Sequence, residues 1–145
     1  MKRATICVDF DGVLHAYTSG WKGATVIPDG PTIVTGDDGR LHHAMGWLTT
    51  LTEHFRVVVC SARARRPWGW WAVRRWIARE LRAYWGPHAV TADDALASIS
   101  VSPVKPAAIV YIDDRAWRFD GREFPTAAQI KAHRPWCAVK GSSGP

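Results

Sequence analysis

The chain has 145 residues, 47% of them hydrophobic, and a formal net charge of +6 from 19 Lys and Arg against 13 Asp and Glu. That is the size of one domain with enough apolar content for a core, and no apolar run approaches the roughly 20 residues of a membrane span. Three widely spaced cysteines, Cys7, Cys60 and Cys137, argue against a disulfide framework or a zinc cluster. Reduced thiols and a cytoplasmic location are expected, because Ala4–Val8 is too short for a signal-peptide core and Asp9 interrupts it. The basic excess favours an anionic ligand such as a nucleotide or nucleic acid, and an arginine-rich surface kept for solubility is the plainer account.

The first element is Ala4 to Val8, a short run rich in β-branched residues that reads as a buried strand. Asp9-Phe10-Asp11-Gly12 follows. On an extended backbone Asp9 and Asp11 point to the same side, and at the carboxyl end of a central strand they face the crevice where open α/β sheets bind ligands. Two like charges this close repel unless a cation or a shared proton compensates. The pattern therefore reads as a metal site or an acid/base pair, against the plainer reading of a strand ending in an Asp-Gly turn with solvated carboxylates.

His15 to Gly23 reads as a loop beside that tip. Ala24–Ile27 and Thr32–Thr35 are expected as short paired strands around Pro28-Asp29-Gly30-Pro31, with a turn at Gly36–Gly39. Leu41 to Phe55 carries apolar residues at spacings of three and four, which predicts an amphipathic helix with His42 and His43 at its solvated start. Arg56–Cys60 is a second buried strand and delivers Ser61.

Ala62 to Trp85 is rich in arginine and tryptophan. Pro67 suits a helix start, and a helix is expected to about Trp85. Val73, Trp76, Ile77, Leu81 and Tyr84 fall on one face, and Arg75, Arg79 and Arg82 on the other. Glu80 falls within the apolar arc and is expected to find an arginine or sit at its edge. Either this is a core helix with a solvated basic face, or Arg63 to Trp71 walls the site, where arginine pairs with phosphate and indole stacks on a base. Thr91–Leu96 reads as a loop or short capped turn, with Asp93-Asp94 on the surface. Ile99–Val101 is a short strand, Lys105 stands before a proline, and Ile109–Ile112 is a third buried strand ending in Asp113-Asp114. Beyond it, Ala116–Phe119 suggests a strand, Asp120-Gly121 a turn, Ala127–His133 a short helix and Pro135–Val139 a sheet edge. Residues 1–139 thus read as one domain and 140–145 as a flexible tail.

Asp9-Phe10-Asp11-Gly12-Val13, Ser61 after a hydrophobic strand, Lys105, and Asp113-Asp114 after another strand occur in an order that resembles the haloacid dehalogenase (HAD) superfamily of phosphohydrolases. The resemblance spans residues 6–115. It implies a three-layer Rossmann-like α/β fold with a mainly parallel sheet, a short flap after the first motif and no separate cap domain. It further implies Asp9 as a nucleophile that forms an aspartyl-phosphate. Asp11 would be the general acid and then the base, and would bind the metal through its carbonyl. Ser61 and Lys105 would hold phosphate; apart from the resemblance, Arg63 is the best candidate for a further phosphate contact because it stands two residues beyond Ser61. Mg²⁺ would be held by Asp9, Asp11, Asp113 and Asp114, with the division between the last two left open. An acid at position 11 favours phosphoryl over carbon–halogen chemistry. The expected activity is Mg²⁺-dependent phosphomonoester hydrolysis, on a nucleotide or a nucleic-acid 3′-phosphate end. A phosphotransferase and a non-catalytic nucleic-acid-binding or regulatory module on the same fold are the alternatives. No Gly-Lys-Ser/Thr phosphate loop is present, so no kinase activity is expected of this chain.

Overall fold

The computed structural model describes residues 2–136. Its centre is a four-stranded parallel sheet in the order β5-β4-β1-β6, built from β1 (Thr5–Asp9), β4 (Arg56–Cys60), β5 (Ile99–Ser102) and β6 (Tyr111–Ile112). The α/β class and the parallel sheet agree with the sequence reading. From β1 the chain adds β4 and then β5 on one side, and returns to place β6 on the other. The direction of winding reverses at β1, and such reversals open a crevice at the carboxyl ends of the strands.

Alternation along the strands builds the core. Ile6 pairs with Val57 and Val8 with Val59, and these pair in turn with Ile99 and Val101. All six side chains join one buried cluster with Met45 and Leu48 of α1 (Ala44–His54), Val73, Trp76, Ile77 and Leu81 of α2 (Pro67–Trp85), and Ala92 and Ala95 of α3 (Ala89–Ala97). Each large side chain buried this way stabilises the fold by about 1.5–3 kcal/mol. The α2 stripe is the one expected, except that Tyr84 is exposed. Glu80 sits at the edge of the stripe and pairs with Arg79 at 3.4 Å. The fourth helix, α4 (Ala127–Ala132), closes a capping box between Thr126 and Gln129 and buries none of its side chains. No helix among the described residues is long and apolar enough to cross a membrane.

Several local expectations give way to long-range contacts. Ala24–Ile27 is not a strand; the carbonyls of Gly23, Ala24 and Val26 accept instead from the Arg63 guanidinium. The hairpin forms one step later, where β2 (Ile33–Thr35) pairs antiparallel with β3 (Leu41–His43) around the Gly36–Gly39 turn. The first helix therefore starts at Ala44, with His43 as its N-cap: its Nδ1 accepts from the Met45 N–H. Residues 89–97 are helix rather than loop, because Ala92 and Ala95 give a buried face whose small methyls barely register in a hydropathy pattern. Asp93 and Asp94 are exposed on that helix, and Asp93 pairs with Arg82. The third motif strand is shorter than expected and lies at the sheet edge, with Ile109, Val110 and Tyr111 exposed. Ala116–Phe119 forms no strand. The expected edge at Pro135–Val139 and the tail lie wholly or mostly outside the described residues.

Candidate metal centre and active site

Parallel pairing of β1 with both neighbours brings three sequence-distant segments to one end of the sheet. Asp9 closes β1, Ser61 follows β4, and Asp113 and Asp114 follow β6. One carboxylate oxygen from each of Asp9, Asp113 and Asp114 lies within 4.8 Å of the other two. Asp9, Asp11, Tyr17, Ser61, Ala62, Asp113 and Arg115 line a cavity of about 160 Å³ at this point. Asp9 and Asp11 thus face the same space. Tyr17 reaches it with φ 61°, a left-handed conformation uncommon for an aromatic residue.

Electrostatics mark Asp9 as the strained member. Burial, and then the charges of Asp113, Asp114 and Asp11, push its carboxyl up to about 8. Burial also opposes ionisation of Asp113, but the Arg115 N–H and the Lys105 ammonium outweigh it and hold that carboxyl below its usual range. Lys105 Nζ donates to Asp113 Oδ2 at 2.9 Å, and this bond raises the Lys105 pKa. Three hard oxygen donors from two neighbouring strand ends, with one of them too buried and crowded to ionise easily, suit Mg²⁺ or a similar hard cation. Asp9, Asp113 and Asp114 would hold it. Both Asp113 and Asp114 offer an oxygen to the triad. The Asp11 carboxylate is not part of that cluster.

Gly12 makes this packing possible. Its φ is +89°, and a Cβ there would fall 2.1 Å from Asp114 Oδ2. Position 12 thus needs both a left-handed backbone and the absence of a side chain. Gly12→Ala is expected to displace Asp114 and, if the triad holds a divalent cation such as Mg²⁺, to weaken its binding about tenfold or more, read as the cation concentration needed for half of the thermal shift. An unchanged midpoint would remove Asp114 from the metal centre.

Asp11 is held by a buried network. Arg63 Nε donates to its Oδ2 at 2.9 Å and Arg63 Nη2 to its Oδ1 at 3.2 Å. Arg63 is 1% exposed, and its Nη1 is given to the three loop carbonyls. Its guanidinium therefore braces Asp11 and the 23–26 strap, where the sequence reading expected a phosphate contact. Trp21 lies against the guanidinium, 4.6 Å from its carbon. Gly69, in the first turn of α2, leaves no room for a side chain against the Arg63 carbonyl; a Cβ there would be 1.8 Å away.

His15 is the residue that the sequence reading passed over. It is fully buried, and the Asp29 N–H donates to its Nε2. The proton therefore sits on Nδ1, which donates to Asp11 Oδ1 at 2.8 Å. Phe10 and Trp76 pack against the imidazole. A lone histidine in a loop gives no periodic signal, and only its spacing of four from Asp11 hinted at the contact. Arg115 was likewise not singled out, and it lines the cavity.

Ser61 is buried and caps the 3₁₀ turn at Ala62–Arg65, its hydroxyl accepting from the Arg63 N–H at 3.2 Å. Ser61 is also among the residues that line the cavity. Across the Asp113–Asp114 loop lies a larger cleft of about 420 Å³, lined chiefly by apolar groups including Val13, Trp47, Ile112 and Trp136. Trp136 Nε1 donates to the Gly12 carbonyl at 2.6 Å and so ties the last described residue to the turn after β1.

Beneath the site, burial raises the Cys7 thiol to about 11 and keeps it neutral. Comparison with protein-family models, curated proteins and solved structures gives no match for this chain. What its own residues establish is an α/β chain with a parallel sheet and an acidic triad at the carboxyl end of its central strand.

Proposed function

We propose that this protein is a Mg²⁺-dependent phosphomonoester hydrolase that works through an aspartyl-phosphate on Asp9, with a nucleotide or a nucleic-acid end as its substrate. The convergence of Asp9, Asp113 and Asp114 around one cation-sized space carries this reading. The resemblance of the four sequence motifs to the HAD superfamily supports it.

In this reading Asp9 attacks phosphorus in line, and the bond from phosphorus to the ester oxygen breaks. Asp9, Asp113 and Asp114 would hold the cation, which when bound would supply positive charge to offset repulsion between carboxylate and phosphate. Lys105, held on Asp113, adds a second positive charge at the edge of the site, and Ser61 offers a hydroxyl to a phosphate oxygen. Asp11 gives a proton to the leaving oxygen and takes one from the water that then cleaves the acyl phosphate. A carboxylate offers about four lone-pair sites. His15 and Arg63 Nη2 occupy both sites on Asp11 Oδ1, and Arg63 Nε occupies one on Oδ2. The fourth, on Oδ2, is the one left for that proton.

The test is phosphate release from an aryl phosphate, 3′- and 5′-mononucleotides, and 3′- and 5′-phosphorylated oligonucleotides, each with Mg²⁺ and with chelator. Release is expected with Mg²⁺ only, and Asp9→Asn should reduce it by a factor of about a thousand or more, since it removes the nucleophile itself. Chelator-resistant release, or full activity in Asp9→Asn, would defeat the proposal.

A further inference from the structure

The segment from Arg56 to Arg79 contains seven arginines, four tryptophans and no Asp or Glu. Arg56 and Arg79 are exposed at the two ends of the segment, and the fold divides the other nine residues into two sets. Arg63 is buried against Asp11, Arg74 donates to the carbonyls of Ile99 and Leu96, Trp70 donates to the Val101 carbonyl, and Trp76 lies in the core. Arg65, Arg66, Trp68, Trp71 and Arg75 remain on the surface. Trp68 is 59% exposed and Trp71 65%, in a helix whose opposite face is fully packed.

Two open indoles on a rigid helix need a reason, because apolar rings left in water forgo the stabilisation of burial. Trp71 is also braced: it meets Trp70 edge-on at 5.4 Å between ring centroids, and Trp70 is itself anchored to β5. Its ring is therefore presented at little further cost in side-chain entropy. From Arg56 to Arg79 the charged side chains are all arginines, and the first acid after them, Glu80, pairs with Arg79. Aromatic faces interleaved with arginines are what a single-stranded nucleic acid recognises, since bases stack on the rings and phosphates pair with the guanidinium groups. An apolar protein partner would not call for the exposed Arg65, Arg66 and Arg75.

The patch is also adjacent to the reaction site. Only the 3₁₀ turn and the helix start separate Ser61 from Trp68, a span of roughly 20 Å at most. The first turn of α2 packs directly on the backbone of Arg63. Arg115 lines the cavity and extends the positive charge to its mouth.

We infer that Trp68 and Trp71, with Arg65, Arg66 and Arg75, form a stacking platform for a single-stranded polynucleotide whose phosphorylated end enters the Asp9 cavity. The destination of the end rests on the phosphohydrolase reading; the platform itself does not. The experiment is fluorescence anisotropy of a labelled, unphosphorylated dT12 with the full chain in chelator, at 50 and 200 mM salt. The wild-type protein should bind it, and more weakly at the higher salt. Trp68→Ala/Trp71→Ala should weaken binding about tenfold or more. Arg65→Gln/Arg66→Gln should also weaken it and flatten the salt dependence. Aryl phosphate hydrolysis should stay at wild-type level in both variants, since neither pair touches the cavity.

Absence of dT12 binding at 50 mM salt would overturn the inference. So would wild-type binding by the tryptophan variant, or a concentration-dependent dimer that those substitutions abolish. Binding that needs the tryptophans, without phosphate release from any end-phosphorylated strand, would uphold the platform and overturn the delivery of a phosphorylated end to the Asp9 cavity.

Discussion

Asp9→Asn should make the metal-free protein more stable at pH 8, while leaving it close to the wild type at pH 4. The reason is the crowding at the strand tip, where burial and three neighbouring carboxylates raise the Asp9 carboxyl to about 8. Its value in the unfolded chain is near the ordinary 3.8. Between about pH 4 and 8 the folded protein therefore holds a proton that the unfolded chain releases. The folded state binds more protons, so stability falls as pH rises across that window, and the loss is complete above about 8. The cost is on the order of a few kcal/mol at the alkaline end. Asparagine cannot ionise and escapes it.

In the proposed reading Mg²⁺ would act in the opposite sense. Held among Asp9, Asp113 and Asp114, it would stabilise the ionised carboxylates, so the wild-type protein should gain more from Mg²⁺ at pH 8 than at pH 5. Asp9→Asn should gain little at either pH. Urea midpoints at several pH values, with and without Mg²⁺, measure both effects. The difference between wild type and variant cancels titrations common to the two. If that difference did not change with pH, Asp9 would be an ordinary exposed carboxyl and the triad would lose its physical basis.

Arg63→Met should be among the most destabilising single substitutions in the chain. It keeps much of the side chain's length and volume but removes every donor. Asp11 then loses a two-point partner, and the carbonyls of Gly23, Ala24 and Val26 lose their donor inside the fold. Breaking a buried pair in this way costs about 3–5 kcal/mol. For a chain of this size that is a fall in Tm of roughly 10–15 °C. Arg63→Lys should recover only part of the loss, because a single ammonium cannot serve both sides of the planar fork.

Thermal denaturation of the two variants, together with an Asp11→Asn cycle, separates the ion pair from the carbonyl contacts. A wild-type Tm for Arg63→Met would mean that the guanidinium does not hold the strap. In the hydrolase reading the same substitution should lower kcat, since Asp11 loses the contacts that orient its open lone pair.

Local pattern was sufficient for much of this molecule. The β-branched runs at Thr5–Val8 and Val57–Cys60 mark buried strands, because a strand covered on both sides needs apolar residues at successive positions. The 19-residue helix from Pro67 to Trp85 follows from the proline at its start and the stripe at helical spacing. Asp9, Asp113 and Asp114 are legible as site residues because each stands where a strand run ends, and strand ends are where a parallel sheet gathers its ligands.

Tertiary structure decided the rest, for reasons a linear pattern does not carry. Leu41–His43 fits a helical stripe by its spacing, yet pairs as a strand because β2 is available across the Gly36–Gly39 turn. Ala89–Ala97 has too little hydropathy contrast to declare its buried face. Arg63 stands two residues from Ser61 in sequence, which suggested a phosphate contact. Its buried partners are Asp11, 52 positions away, and a strap some 40 positions away. His15 carries no periodic signal, and its tautomer is fixed by a backbone N–H that only folding brings to it. The sequence by itself thus determined which residue types stand at the strand ends and which helix face is apolar. Folding decided which charges are spent on one another and which remain for a ligand, since that depends on distances between segments that the order of residues does not contain.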